Sequence, residues 1–478
     1  MGKQKKSKNK TALLWDLSGA FVKQFASLFI SILLARLLGP NRYGIIAMAM
    51  VVINISSVVT DVGFSNALIQ QQKTKHIAFS SVFYMNTGIA LIISCIILLI
   101  RPYVAIYFEE PKLQAIMCYL AVIPPISAAG SVQSAILTKK IDFKTLTLKD
   151  MLATTIGGLL GVIAAFSGFG VYSLVLQHIA MVVIGTSMLW YFTKWRPKWE
   201  FSILEIRKLF SYSSYLFLDN LIRRIFINID TIFIGKAFSP LTLGVYNRAQ
   251  SLKSQVDNYT TKSLSKVIFP VLSNLQYNDK TFRKTYHRAF NILGGLIILL
   301  IAPLYFLANI IIINLLGEEW FDSILLFEII ILATIVRPHV RIMGKALLAK
   351  GYSKFKFKIG LIQRGLMLLP ISIGYFYGIN YFAGTVVISY YIVFLLYLIA
   401  LEKKMNISFW KQLKNVILPN LMFVVFLILD FFYGINLNRW LMTGAFLVMH
   451  LAYMRLINHE SYSFLVNTIR SLVQRGES

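Results

Sequence analysis

Acidic residues are scarce in this chain. Aspartate and glutamate together number 20 against 48 lysines and arginines, and the formal net charge is +28. Charged residues of both signs make up only 14%, where a soluble globular protein has roughly 25%. There are two cysteines, Cys95 and Cys118, both in apolar segments, so neither a disulfide framework nor a metal cluster can be built from them. The pattern GxxxxGK[ST] is absent, which argues against nucleotide hydrolysis by a phosphate-cradling loop. The apolar runs do not show the short alternating pattern of membrane β-barrel strands.

What is present is grease in long runs. Hydrophobic residues make up 57% of the chain, and mean hydropathy is +0.67. Runs such as "IALIISCIILLI" (89–100) and "FNILGGLIILLIAPLYFLANIIII" (290–313) suit a bilayer core, which takes about 20 apolar residues per helix. The expected fold class is an all-α polytopic membrane protein. In a soluble protein the basic excess would suggest nucleic acid. Here it fits cytoplasmic loops lying against anionic lipid head groups, and no nucleic-acid partner is expected. The N-terminus "MGKQKKSKNK" resembles the basic part of a signal peptide, but the stretch after it carries Asp16, Lys23 and Arg36 and runs past signal length. An uncleaved first span is expected.

Hydropathy suggests about 14 transmembrane helices, at 13–38, 43–68, 78–101, 112–137, 149–168, 170–193, 211–236, 241–272, 285–315, 321–349, 357–377, 380–401, 412–433 and 438–457. With the basic N-terminus in the cytoplasm, every second loop is basic through to the end, from "QQQKTKH" to "EKKMNISFWKQLK", and the intervening loops are short turns such as "SGFGVY". Both termini are therefore expected inside. In the tail, Leu465, Ile469 and Leu472 fall at helical spacing, as in an amphipathic surface helix.

The chain also repeats itself. "LARLLGPNRYG" (34–44) aligns with "IGKAFSPLTLG" (234–244), so that Arg36, Pro40 and Gly44 meet Lys236, Pro240 and Gly244 at a spacing of 200. "YFEEP" (107–111) echoes "LGEEW" (316–320), and "SAILTKK" (134–140) echoes "KALLAKG" (345–351). Six predicted helices separate the copies, so both enter the membrane in the same direction, as parallel repeats. The expected architecture is two six-helix bundles around a central cavity plus a C-terminal helix pair. By residue it comprises a basic tail 1–10, bundles 11–210 and 211–405, the pair 406–457 and an amphipathic tail 458–478.

The predicted seventh helix contains "DNLIRRIFINID" (219–230), four charges in an otherwise apolar span. Each costs roughly 2.5–3.5 kcal/mol at a bilayer centre unless paired or hydrated. On a helical wheel Tyr212, Asp219, Arg223 and Asp230 fall within about 40° of one another, with Arg224 to the side. In the first helix Asp16, Ala20, Lys23 and Ser27 share a face, and the repeat sets Lys23 opposite Arg223. In the eighth, Arg248, Ser251, Gln255, Tyr259, Lys262 and Lys266 share a broad face, while Lys253 and Asp257 form an i,i+4 pair behind it.

Two explanations compete. Arg36, Lys236, Lys266, Arg341, Lys345 and Arg364 lie near helix ends and are expected to snorkel. Asp219 and Arg223 could be a structural ion pair. For the set on helices one, seven and eight, a hydrated cavity accounts better for so much charge. The expected substrate-binding residues are Asp16, Lys23, Tyr212, Asp219, Arg223, Arg224, Asp230, Arg248, Gln255, Tyr259 and Lys262, with Asp61 and Asn54 as lesser contributors. No catalytic residue, metal or cofactor is expected. Glu328 has no assignment, and His339 is expected to be structural.

The segments "LLARLLGPNRYGIIAMAMVV", "TDVGFSNALIQ", "AILTKKIDFK", "NIDTIFIGKAFSPLTLGVYNRAQSL" and "KVIFPVLSNLQ" resemble the Wzx-type oligosaccharide flippases. They look closest to the branch exporting colanic and teichuronic acid units, within the multidrug/oligosaccharidyl-lipid/polysaccharide exporter superfamily. The resemblance covers about 11 to 410, and "YNRAQSL…FP" is its most specific part. It implies a bacterial inner-membrane transporter whose cargo is an undecaprenyl-diphosphate-linked oligosaccharide, moved by alternating access. It also implies contact with anionic lipids and with polysaccharide polymerase and chain-length machinery. A diphosphate needs Arg or Lys, and sugars need a hydrated lining with aromatic platforms such as Tyr212, Tyr215 and Tyr259. The alternatives are a multidrug or cation exporter, whose pocket should be apolar and acidic, and a membrane glycan polymerase or ligase, which needs a sizeable external loop.

Overall fold

The computed structural model of the chain describes the backbone at 2–71, 74–433 and 438–476; the side chains of 1–23, 72–73, 212, 258–267, 431, 433–437, 459, 469 and 471–478 lie outside the described residues. Regular structure there is helical throughout. In chain order the helices are α1 Gly2–Asp61, α2 Phe64–Gln70, α3 His76–Tyr107, α4 Lys112–Leu120, α5 Ile123–Lys139, α6 Phe143–Phe166, α7 Tyr172–Phe192 and α8 Ile203–Ala237. They continue as α9 Pro240–Asn274, α10 Asp279–Phe306, α11 Ala308–Leu316, α12 Ser323–Ile331, α13 Ala333–Ala349, α14 Ser353–Leu366, α15 Leu369–Tyr377, α16 Ile379–Met405, α17 Phe409–Tyr433, α18 Arg439–Leu456 and α19 His459–Gly476.

Among the described residues, ten stretches are long and apolar enough to cross a membrane, and eleven if the bent pair Arg439–Leu456 and Glu460–Thr468 counts as one span. The protein is an all-α, multi-pass membrane protein. The expected fourteen spans differ from this number at identifiable places. The spans 13–38 and 43–68 lie largely on the two arms of α1, bent at Gly39, where φ is 68° and Pro40 follows. That φ favours glycine, and proline withholds the next backbone donor. Helices α8 and α9 cover 211–236 and 241–272 but fall outside the apolar count, α8 with Asp219, Arg223, Arg224 and Asp230 along its length. Several predicted spans are broken: 112–137 into α4 and α5 ahead of Pro124, and 357–377 into α14 and α15 ahead of Pro370.

Helix starts follow local chemistry. Ser202 caps α8 by accepting from the Glu205 N–H at 3.4 Å, a serine and a glutamate at capping-box spacing. Asp142 caps α6 and Asn278 caps α10 through the Thr145 and Thr281 amides. In α6, small residues let neighbours approach: a Cβ on Gly158 would sit 2.4 Å from Ile30, and one on Gly157 would sit 2.5 Å from Met181.

The residues divide into two compact units, Met1–Asn247 and Arg248–Ser478. In the first, the two aligned turns touch. A Cβ on Gly44 would lie 1.7 Å from the Pro240 carbonyl oxygen, and one on Gly244 would lie 1.9 Å from that of Pro40. The contact is reciprocal, as a local twofold requires, and only glycine permits it. The "SAILTKK" and "KALLAKG" echo also has a physical counterpart. In the first unit Lys139 donates to the Leu68 and Gln71 carbonyls at 3.1 and 2.6 Å and lies 5.7 Å from the Phe79 ring centre. In the second, Lys350 donates to the Gln276 carbonyl and to Asp279, and lies 5.0 Å from the Phe282 ring centre. Each lysine ends one helix and ties down the chain entering another, over a phenylalanine one turn inside it.

The start of α8 is anchored in the first unit. Ile206 and Leu209 join a core with Phe64, Leu68, Val82, Val132 and Ile136. The strand of chain before it is held to α3, where the Lys198 and Ser202 amides donate to the Ser80 and Ser81 hydroxyls at 3.2 and 2.8 Å. This fixes where the charged middle of α8 lies against α1 and α2.

Candidate functional site

In the first unit, Arg223 and Arg224 line a cavity of about 290 Å³ with Asn220, Ser57, Asp61 and Asn66. Arg223 is exposed and donates from Nη2 to the Asn220 side-chain oxygen at 2.6 Å. Arg224 lies half-buried on the same cavity, although the helical wheel set it aside. Asp61 is a hub: its Oδ1 accepts from the Ser65 hydroxyl at 2.5 Å, the Ser65 amide at 3.2 Å and the Asn86 amide nitrogen at 3.2 Å. A second cavity of about 250 Å³ shares Ser57 and Asp61 and is lined from α5 by Ser127, Ser131, Ser134 and Thr138. The first-unit site is therefore two arginines and a carboxylate beside a wall of hydroxyls. Such a lining can hold an anionic group and hydrogen-bond a polyol.

The other expected residues are more dispersed. Asp219 is exposed on α8, and among the described residues neither it nor Asp230 lines this cavity. Asp230 accepts from the Tyr246 hydroxyl at 3.0 Å. Arg248 is buried in the second unit, its guanidinium 5.9 Å from the Trp320 ring centre, and Gln255 is half-buried on α9. The side chains of Asp16, Lys23, Tyr212, Tyr259 and Lys262 lie outside the described residues. The Lys253–Asp257 pair forms as spacing predicted, at 3.3 Å and fully buried.

The second unit has a cavity of about 240 Å³ lined by Arg337, Arg341, Lys345, Lys356, Gln363 and Tyr390, among others. Sequence reasoning assigned Arg341 and Lys345 to snorkelling and passed over Arg337 and Lys356. A usable signal was present, since Arg337, Arg341 and Lys345 recur every four residues and share one helical face. Lys236, which the same reasoning expected to snorkel, donates to Glu109 at 2.7 Å. Glu328 lies 3.8 Å from Arg439, and His339 is buried, with Nδ1 2.9 Å from the Ile335 carbonyl.

Residues 33–325, more than half the chain, match the family described as "Polysaccharide biosynthesis protein". The chain belongs to that family. Its relatives include the lipopolysaccharide biosynthesis protein WzxC of Escherichia coli (strain K12), 19% identical over 71% of this chain and 70% of that protein. Another is the teichuronic acid biosynthesis protein TuaB of Bacillus subtilis (strain 168), 23% identical over 69% of this chain and 66% of that protein. Its fold is that of a solved structure described as lipid II flippase MurJ in an inward closed conformation, with a TM-score of 0.73 at 17% identity, covering 93% of this chain and all of that one. A more distant likeness is to the MATE multidrug transporter DinF-BH, with a TM-score of 0.52 at 13% identity over 84% of this chain and 96% of that one. By family this member is a polysaccharide biosynthesis protein, and its fold is shared with solved structures of a lipid II flippase and a MATE transporter.

Proposed function

We propose that this family member is a flippase for undecaprenyl-diphosphate-linked oligosaccharide repeat units. It carries them from the cytoplasmic to the outer leaflet of a bacterial inner membrane by alternating access, for exopolysaccharide, capsule or lipopolysaccharide assembly, on the colanic and teichuronic acid branch. The observation that carries this reading is the first-unit cavity: Arg223 and Arg224 beside Asp61, with the hydroxyls of α5 in the adjoining hollow. The arginines suit a diphosphate, the hydroxyls suit sugars, and a polyprenyl tail can stay in lipid. In this proposal α8, α9 and both arms of α1 also span, giving two six-helix bundles (11–210 and 211–405), a helix pair (406–457) and both termini in the cytoplasm. Repeat halves and packing units need not coincide, because α8 opens the second repeat yet packs in the first unit. Asp16, Lys23, Tyr212, Asp219, Asp230, Arg248, Gln255, Tyr259 and Lys262 are further proposed substrate-binding residues, and polymerase and chain-length proteins are the proposed downstream partners.

The test is reconstitution of the purified protein in vesicles with a fluorescent undecaprenyl-diphosphate oligosaccharide and, separately, a lipophilic cation. Flipping of the glycolipid that falls at least tenfold in Arg223→Glu supports the proposal. Transport of the cation alone would establish the multidrug alternative.

A further inference from the structure

We propose that the second unit carries a phosphate-binding site of its own, formed by Arg337, Arg341 and Lys345 on α13 and Lys356 on α14. None of these four is among the residues expected from the sequence, and the inference stands whether or not the first-unit cavity carries the cargo.

The site is built in two tiers. Behind it, Asp257 on α9 pairs with both Lys253 and Arg337, at 5% side-chain exposure for the carboxylate and 1% for the lysine. The Tyr390 ring centre lies 4.8 Å from the Arg337 guanidinium and 5.4 Å from the Lys253 ammonium, so one aromatic ring contacts both cations. The single carboxylate is thereby engaged twice. In front, Arg341, Lys345 and Lys356 have no carboxylate partner and no side-chain hydrogen bond among the described residues, and all three line the cavity with Gln363. Lys345 lies 5.1 Å from the Phe269 ring centre, and a Cβ on Gly344 would touch Lys356 at 3.4 Å and the Tyr397 hydroxyl at 3.5 Å. The lysine stem is thus packed against the floor of the cavity.

Snorkelling does not account for this cluster. Arg337 lies twelve residues before the end of α13, about 18 Å along the axis at 1.5 Å per residue. Around Asp257, which pairs with Lys253 and Arg337, the basic side chains Arg341, Lys345 and Lys356 also gather. Gathering like charges this way is unfavourable unless a ligand brings several negative charges. A phosphate or diphosphate does so, and its oxygens match the arginine fork and the point charges of lysine. Two lipids could supply such a group, an anionic phospholipid of the bilayer and the diphosphate head of a lipid-linked glycan.

The experiment uses the full chain in nanodiscs of phosphatidylcholine and measures binding of inorganic pyrophosphate by calorimetry. Arg341→Gln with Lys345→Gln should weaken binding at least tenfold, while Arg223→Gln leaves this component in place. Lys356→Gln alone should weaken it severalfold, which serves as the second variant should the pair fail to fold. Repeating the titration in discs containing phosphatidylglycerol identifies the source. Loss of the pyrophosphate signal supports the site with a bilayer headgroup as its occupant, and retention supports it with a diphosphate occupant. Pyrophosphate affinity unchanged in both second-unit variants, or lost only on replacing Arg223, would overturn the proposal.

Discussion

Ser127, Ser131, Ser134 and Thr138 line a first-unit cavity from α5, and Arg337, Arg341 and Lys345 line the second-unit cavity from α13. These two helices are counterparts. Each ends in the lysine, Lys139 or Lys350, that ties down the neighbouring turn over a phenylalanine. The anchoring chemistry is alike in both helices while the cavity-facing chemistry differs, hydroxyls in one and cations in the other. Anchors hold the backbone of a repeat, whereas the face turned to a cavity is free to specialise. The carboxylates differ too. Asp61 accepts from neutral Ser65 and Asn86, and Asp257 is held between Lys253 and Arg337.

That contrast is most sharply tested through stability. Asp257→Ala leaves Lys253 and Arg337 facing each other in a buried place, where removing one partner of an ion pair costs about 3–5 kcal/mol. A large fall in the unfolding midpoint of the detergent-purified protein is expected, with reduced yield. Asp61→Ala removes an acceptor from neutral donors only, and a loss of about 1–3 kcal/mol is expected by the same measurement. Equal losses for the two would erase the distinction.

Transport separates the cavities in another way. Arg223 is exposed and bonded to Asn220, so Arg223→Gln should shift stability by less than about 0.5 kcal/mol, as surface changes do. It should still weaken binding of the proposed diphosphate-linked cargo by about 1.5–3 kcal/mol, the value of a charge-assisted contact. An uncharged glycolipid analogue should lose little. Equal losses for both ligands, measured in reconstituted protein, would make Arg223 a structural residue.

The smallest effect belongs to Glu109, which follows α3 and lies in neither cavity. Its hydrogen bond from Lys236, reinforced by that lysine's charge, holds the carboxyl below its ordinary range. A carboxyl lowered on folding contributes stability above its unfolded pKa and loses it as pH falls through the lowered value. Glu109→Gln should therefore lower the unfolding midpoint slightly near neutral pH, and the difference should close on acidification. A difference that widened in acid would contradict the pairing.

Much of the fold was legible in the residues. Apolar runs, prolines and cap residues act locally, and the helices begin and end near where those signals lie. The turn echo of Pro40 with Pro240 and Gly44 with Gly244 was also legible, because the close approach tolerates no side chain and so leaves glycine as its mark. The i,i+4 pair of Lys253 and Asp257 follows from helical spacing alone. The role of α8 was half legible: its charges could be seen, but not which of them share a cavity. A wheel reports angles around one axis, and Arg224 joins Arg223 because α1 and α2 pack where they do, bringing Asp61 and Asn66 beside them. The surroundings of Arg337, Arg341 and Lys345 were likewise not legible. Sequence gives their distance from a helix end, whereas Asp257, Lys356 and Tyr390 are brought around them by α9, α14 and α16. Local propensity and hydropathy thus determined the helices and their order along the chain. Only packing across distant segments decided which polar side chains meet, because charge in a membrane is tolerated where neighbours, not sequence positions, offset its desolvation.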